Sequence, residues 1–337
     1  MDNLCNNVFR LLSIKEWKQT MSAVDLKLLE YSITGGRAIY MDITLALGGG
    51  GSKGNSHIGV IRRLEKEGYR IRAVAGTSFG GLVAVLYALG YSPDKMEEIF
   101  ASLDQSQFYG HAPNDGPSLM GLAGVTRLLE ETIGDATFAD LKLPCVLTAV
   151  DLKSGNEVLL SKGRLVDAML ATIAMPGIFP ARHIDGLELV DGGTLDPVPV
   201  APARMLAPRL PVVAVVLTMP MGAPPQTWRL PFQRYWAGRI VTSLLSKMRY
   251  DSVWDVFTRS LDITSRAVTQ YRLEMDRPEV IVRPEVHDID TLDVVDIHEV
   301  AKRGEAAVVA ALPQLRSLFT WRNRWRRTIG VYNHRSV

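Results

Sequence analysis

The sequence predicts an α/β fold with a mostly parallel central sheet flanked by helices. Three observations carry that prediction. "ITLAL" (Ile43 to Leu47) and "PVVAVVL" (Pro211 to Leu217) are unbroken apolar runs, as strands buried on both faces tend to be. Strand-like and helix-like segments alternate after Asp42, the pattern of a parallel sheet. Glycines cluster where a strand hands over to a helix, in "GGGGSKG" and "GTSFGG".

The elements follow in order. Ser56 to Glu67 carries Ile58, Ile61 and Leu64 on one face and Arg62, Arg63, Glu65 and Lys66 on the other, with Gly68 as its stop. "IRAVAG" from Ile71 reads as a second strand, and "TSFGGLVAVLYALG" as a helix apolar nearly all round, hence buried. Ser92 and Pro93 supply an N-cap and a first helical residue for the next helix. "PCVLTAVDLKSGNEVLL" predicts two strands around a Ser-Gly-Asn turn, and "RLVDAMLATIA" a helix. "PARHIDGLELVDGG" predicts a hairpin turning at Asp185-Gly186. Trp228 to Met275 reads as helices rich in Arg and aromatics, "EVIVRP" as a last strand and Ile297 to Leu318 as a final helix. The domain reading is a helical extension at 1–40, a catalytic core at 41–220, an insertion with closing strand and helix of the same domain at 221–320, and a basic tail at 321–337.

Composition narrows the function classes. In 337 residues, 38 Lys and Arg face 36 Asp and Glu, so no global basic field argues for nucleic acid. Two cysteines, Cys5 and Cys145, make no disulfide framework and suit a reducing compartment. The N-terminus lacks the pattern of a secretory signal, and no apolar run approaches the roughly 20 residues of a membrane-spanning helix. The expectation is a cytoplasmic protein that meets membranes at the surface, at the inner face.

Gly49-x-Gly51-x-x-Gly54 satisfies the dinucleotide fingerprint in a strand-to-helix context. The acidic residue that should end the second strand is missing, and a P-loop fails because Lys53 is followed by Gly54. The acid's place is taken by "GTSFG", a Gly-x-Ser-x-Gly turn between strand and helix, the context of a nucleophile elbow. Ser78 is then the candidate nucleophile, and a glycine-flanked N-cap serine is the plain structural alternative. A serine needs a base. None of the six histidines (His57, His111, His183, His287, His298, His334) stands in a recognisable catalytic context. Asp191 ends a strand before two glycines, as a base or as a simple turn residue.

Taken together and in this order, "GGGSKG" (Gly49 to Gly54), "GTSFG" (Gly76 to Gly80) and "DGG" (Asp191 to Gly193) resemble the patatin-like phospholipase family. The similarity runs from about Ile43 to Leu217 and includes "HIGVIRRLEKEG" and "AMPGIFPA". The resemblance implies a patatin-like three-layer architecture and a Ser-Asp dyad without histidine, Ser78 attacking an ester carbonyl and Asp191 taking its proton. It implies that Gly49, Gly50 and Gly51 offer backbone N–H groups to the oxyanion, with Lys53 lending charge nearby and Gly54 closing the loop. Gly76, Thr77, Phe79 and Gly80 shape the elbow, and Gly192 and Gly193 the aspartate turn. No metal or other cofactor is implied. One departure is Asp196, where relatives tend to carry Asn before the Pro-Val pair.

The implied substrate is a lipid acyl ester. Aromatic and basic residues mix at Trp228 to Tyr250 and near the C-terminus, where Arg322, Arg324, Arg326 and Arg327 are expected to promote contact with anionic lipid. Two other classes stay open at this point: a soluble carboxylesterase or thioesterase with the same dyad, and a non-hydrolytic dinucleotide-binding protein. Oligomeric state is not encoded in any motif.

Overall fold

The computed structural model describes residues 41–102, 108–112, 115–223 and 250–320. The expectations for the N-terminal extension, most of the aromatic and basic stretch after Trp228, and the tail from 321 lie outside these residues.

Among the described residues, eight strands form one sheet: β1 (Met41–Leu47), β2 (Tyr69–Gly76), β3 (Cys145–Asp151), β4 (Glu157–Leu160), β5 (Arg182–Ile184), β6 (Leu187–Asp191), β7 (Val212–Val215) and β8 (Val280–Val282). Their order is β5-β6-β3-β2-β1-β7-β8, with β4 also pairing β3. The pairs β2/β3, β1/β7 and β7/β8 are parallel, and β3/β4, β3/β6 and β5/β6 antiparallel. The two predicted hairpins supply β3/β4 and β5/β6, and the β3/β6 pairing joins one hairpin to the other. In the second, Asp185 and Gly186 both take positive φ (50° and 80°), as a tight two-residue hairpin turn requires.

The helices are α1 (Ser56–Lys66), α2 (Phe79–Leu89), α3 (Pro93–Ala101), α4 (Ala123–Ile133), α5 (Leu165–Thr172), α6 (Val200–Leu206), α7 (Tyr250–Asp276) and α8 (Ile297–Ser317). Alternation along β1 sorts the layers. Ala46 faces a cluster with Ala75, Val146, Val212 and Ala214 that is closed by Val200 and Ala203 of α6 and by Leu273 of α7. Its fully buried neighbours Leu45 and Leu47 point to the opposite face. On the sheet's edge, β8 extends the pairing of β7, so the segment after α7 completes the same sheet. This is the α/β three-layer architecture that the sequence predicts.

Two helical glycines position the site from a distance. A Cβ on Gly59 of α1 would run into the Ala301 carbonyl of α8, and one on Gly304 into the Ser56 carbonyl. The backbones of α1 and α8 therefore touch, which only glycine permits at such a crossing. α1 is the helix that the glycine loop feeds.

Candidate active site

Each of the three motifs sits at the end of a strand. The glycine loop leaves β1, the elbow joins β2 to α2, and Asp191 ends β6, whose register pairs it with Ala149 of β3. The first two follow the carboxyl ends of neighbouring strands, where α/β sheets open their binding crevices.

Ser78 adopts φ 53° and ψ −130°, a strained backbone for a non-glycine residue and the signature of a nucleophile elbow. The turn is possible because its flanks lack side chains. A Cβ on Gly76 would stand 2.5 Å from the Gly80 oxygen, and one on Gly80 would strike the Leu47 carbonyl. The Ser78 backbone N–H donates to Thr172 Oγ1 (3.0 Å), which donates to the Thr148 carbonyl (2.7 Å). Thr77 Oγ1 pairs with Thr148 Oγ1 at 2.7 Å and donates to the Asp196 carbonyl at 2.9 Å. Buried hydroxyls thus tie the elbow to β3, α5 and the aspartate turn.

The Ser78 hydroxyl acts on the Asp191 carboxyl and favours its charged form. Asp191 Oδ1 accepts from the Gly193 N–H at 2.7 Å, the bond that shapes the Asp-Gly-Gly turn. Burial raises the Asp191 carboxyl to about 6, against the opposing pull of the Ser78 hydroxyl and the Gly193 N–H. Gly192 packs so tightly on Thr148 that a Cβ there would overlap its hydroxyl.

Two of the predicted loop residues, Gly49 and Lys53, depart from their expected places. The Gly49 N–H donates to the Pro197 carbonyl at 2.9 Å, so it is committed to the backbone; its Cα instead lies close to Ser78, with a Cβ there 3.1 Å from that of the serine. Gly50 and Gly51 have N–H groups without an acceptor among the described residues. Gly51 has φ +57°, and its Cα presses on the Thr291 carbonyl. Lys53 is buried and does not line the cavity beside Ser78. Desolvation lowers its pKa, against the attraction of Asp262 on α7 and of Asp290 and Asp293, so the charge expected beside the oxyanion faces those acids instead. Gly54 lies under the Phe79 ring, where any side chain would collide.

Two supports of the glycine loop carry no sequence motif. His57 is fully buried and bonds the Gly48 carbonyl through Nε2 at 2.8 Å; burial lowers its pKa to about 4, so it is neutral and donates. The loop at 290–293 accepts from Ser52, the backbone N–H reaching the Thr291 carbonyl (2.9 Å) and Oγ the Asp293 carbonyl (2.6 Å).

Beside Ser78 opens a cavity of about 400 Å³. Its walls come from α2 (Phe79, Leu82), from Phe108 and Tyr109, from α4 and its approach (Leu122, Val125, Leu129), and from Phe179 and Leu292. Among the described residues, no Lys or Arg lines it. Such a wall suits an apolar chain and gives a diphosphate no counter-charge. Among the described residues no group of acidic, His or Cys side chains could hold a metal, and no helix is long and apolar enough to cross a membrane.

Residues 45–204 match the family model described as patatin-like phospholipase. This patatin-like segment contains all three motifs. An uncharacterized NTE family protein of Mycobacterium tuberculosis is 33% identical over 204 residues, covering 60% of this chain and 56% of the relative. Lysophospholipase NTE1 of Saccharomyces cerevisiae is 28% identical over 172 residues, covering 48% of this chain and 10% of that protein. The chain thus spans little more than half the length of the mycobacterial relative. The solved structure of VipD from Legionella pneumophila superimposes with a TM-score of 0.49 at 13% identity, over 83% of this chain and 67% of that one.

Proposed function

We propose that the protein is a lipid acyl hydrolase in which Ser78 is the nucleophile and Asp191 the base. The observation that carries this reading is Ser78 on its strained turn at the edge of an apolar cavity, with the buried Asp191 carboxyl within its influence. In the forward step Ser78 Oγ attacks the ester carbonyl carbon while its proton passes to the Asp191 carboxylate. The carbonyl oxygen becomes an oxyanion that the N–H groups of Gly50 and Gly51 receive, each such donor being worth about 2.7 to 4 kcal/mol in the transition state. Collapse expels the alcohol, which takes the proton from Asp191 and leaves an acyl-serine. Water then attacks this ester, giving its proton to Asp191. The second tetrahedral intermediate releases the fatty acid, and Ser78 recovers the proton.

A lipid substrate follows from the cavity, since each methylene moved from water into such walls contributes about 0.8 kcal/mol. The similarity to lysophospholipase NTE1 of Saccharomyces cerevisiae supports that class. The test is fatty-acid release from phospholipid and lysophospholipid dispersions by wild type and Ser78→Ala. Release by the wild type alone supports the reading. Equal release by both, or none from any acyl ester, contradicts it. A preference for short water-soluble esters over lipid would move the assignment to a soluble esterase with the same dyad.

A further inference from the structure

Asp196 shares the turn of Asp191 and is fully buried, yet neither of its carboxylate oxygens has a donor. The groups facing it are Glu157 on β4 and Arg272 and Asp276 on α7. Arg272 directs Nε to the Leu195 carbonyl (2.9 Å) and Nη2 to Glu157 Oε2 (2.7 Å). The other Glu157 oxygen and Asp276 Oδ2 are buried without partners as well. Arg204 of α6, the further cation acting on Asp276, is bonded to Glu279 at 2.8 Å.

Three carboxyl groups around one guanidinium cannot all ionise in so dry a space. One proton changes the contact between Glu157 and Asp196 from two facing acceptors into a hydrogen bond. The Asp196 backbone belongs to both catalytic turns: its N–H donates to the Gly192 carbonyl (2.8 Å), and its carbonyl accepts from Thr77 Oγ1 (2.9 Å).

We infer that Asp196 is a positioning residue held in its acid form against Glu157, and that this proton-sharing pair fastens the turns bearing Ser78 and Asp191. Burial first, then Glu157, raises the Asp196 carboxyl to about 8, so the fastening is lost in mildly alkaline solution. The inference rests on the proposed hydrolase only for its activity readout.

The test follows Tm and kcat/KM of the full chain against pH, for wild type, Asp196→Asn and Glu157→Gln. A carboxyl raised by folding stabilises most below its unfolded pKa and loses that contribution as pH climbs to the folded value. Asp191 turns over around its folded value of about 6 and His57 between about 4 and 6.5, so the share of Asp196 in the decline toward about 8 is read as the difference between wild type and Asp196→Asn. Toward that pH the wild-type Tm declines, and kcat/KM falls with a midpoint near 8. Asp196→Asn flattens the decline and removes that limb. Glu157→Gln, which deletes the repelling charge, moves the limb to lower pH. A folded Asp196→Asn with the wild-type decline and limb overturns the inference. Should that variant fail to fold, an unshifted limb in Glu157→Gln does so. If the Tm difference behaves as expected and no ester is cleaved, the carboxyl pair stands and the hydrolase reading falls.

Discussion

Ser78 and Asp191, on turns after different strands, meet in a buried site where the serine hydroxyl favours the charged form of the aspartate. The serine's strained backbone and the aspartate's raised pKa both follow from how those turns are packed. Asp191→Asn keeps the shape of the acceptor for Gly193 and removes the base. The account predicts a loss in kcat/KM of about a thousandfold or more for this variant and for Ser78→Ala, read with one acyl ester. It also predicts that Asp191→Asn is more stable than wild type above about pH 6, by about 1 to 3 kcal/mol, because the buried charge is gone. Urea unfolding at neutral pH checks this.

The rate should rise with pH through about 6, as Asp191 becomes the carboxylate that accepts the serine proton. A rising limb near that value in kcat/KM, absent from no single His→Ala variant, is the expected profile. A limb abolished by one histidine substitution would place the base elsewhere.

His57 works in the opposite direction on stability. Its folded pKa of about 4 lies below the ordinary value of 6.5, so the unfolded chain binds the extra proton between them. Stability should therefore drop by about 3 kcal/mol as pH falls through that interval, and His57→Gln should lack this component. Denaturant melts at several pH values read the difference.

Gly51→Ala should cost far more activity than Gly49→Ala. The first forces a side chain into φ +57° against Thr291 and disturbs an open donor, while the second alters a residue whose N–H is already bound to Pro197. About a hundredfold or greater loss in kcat is expected for Gly51→Ala, with the smaller effect at Gly49 measured beside it.

Chain length should matter until the cavity is full. Each added methylene should improve kcat/KM by about fourfold, and Val125→Phe should move the plateau to shorter acyl groups. Kinetics on a homologous ester series decide this.

The strands, both hairpins and the three motifs were legible because they depend on local patterns: apolar runs, Asp185-Gly186, and glycines spaced by turn geometry. The elbow could be read for the same reason, since Gly76 and Gly80 exclude side chains within one turn. What holds the site together could not. Thr148, Thr172 and Thr291 act through contacts between distant segments, and His57 resembles any helical histidine until its bond to Gly48 is seen. The commitment of Gly49 to Pro197 and the burial of Lys53 outside the cavity lining are likewise products of packing. Cys145 shows the reverse case: it is a buried free thiol pushed up to about 12, as inert as its place in an apolar strand suggests.

The most direct test of the central claim is the site of covalent capture by a serine-directed fluorophosphonate, read by intact mass and peptide mapping. The account predicts one adduct on Ser78, absent in Ser78→Ala and strongly slowed in Asp191→Asn. An adduct on another residue, or undiminished labelling of Ser78→Ala, would contradict it.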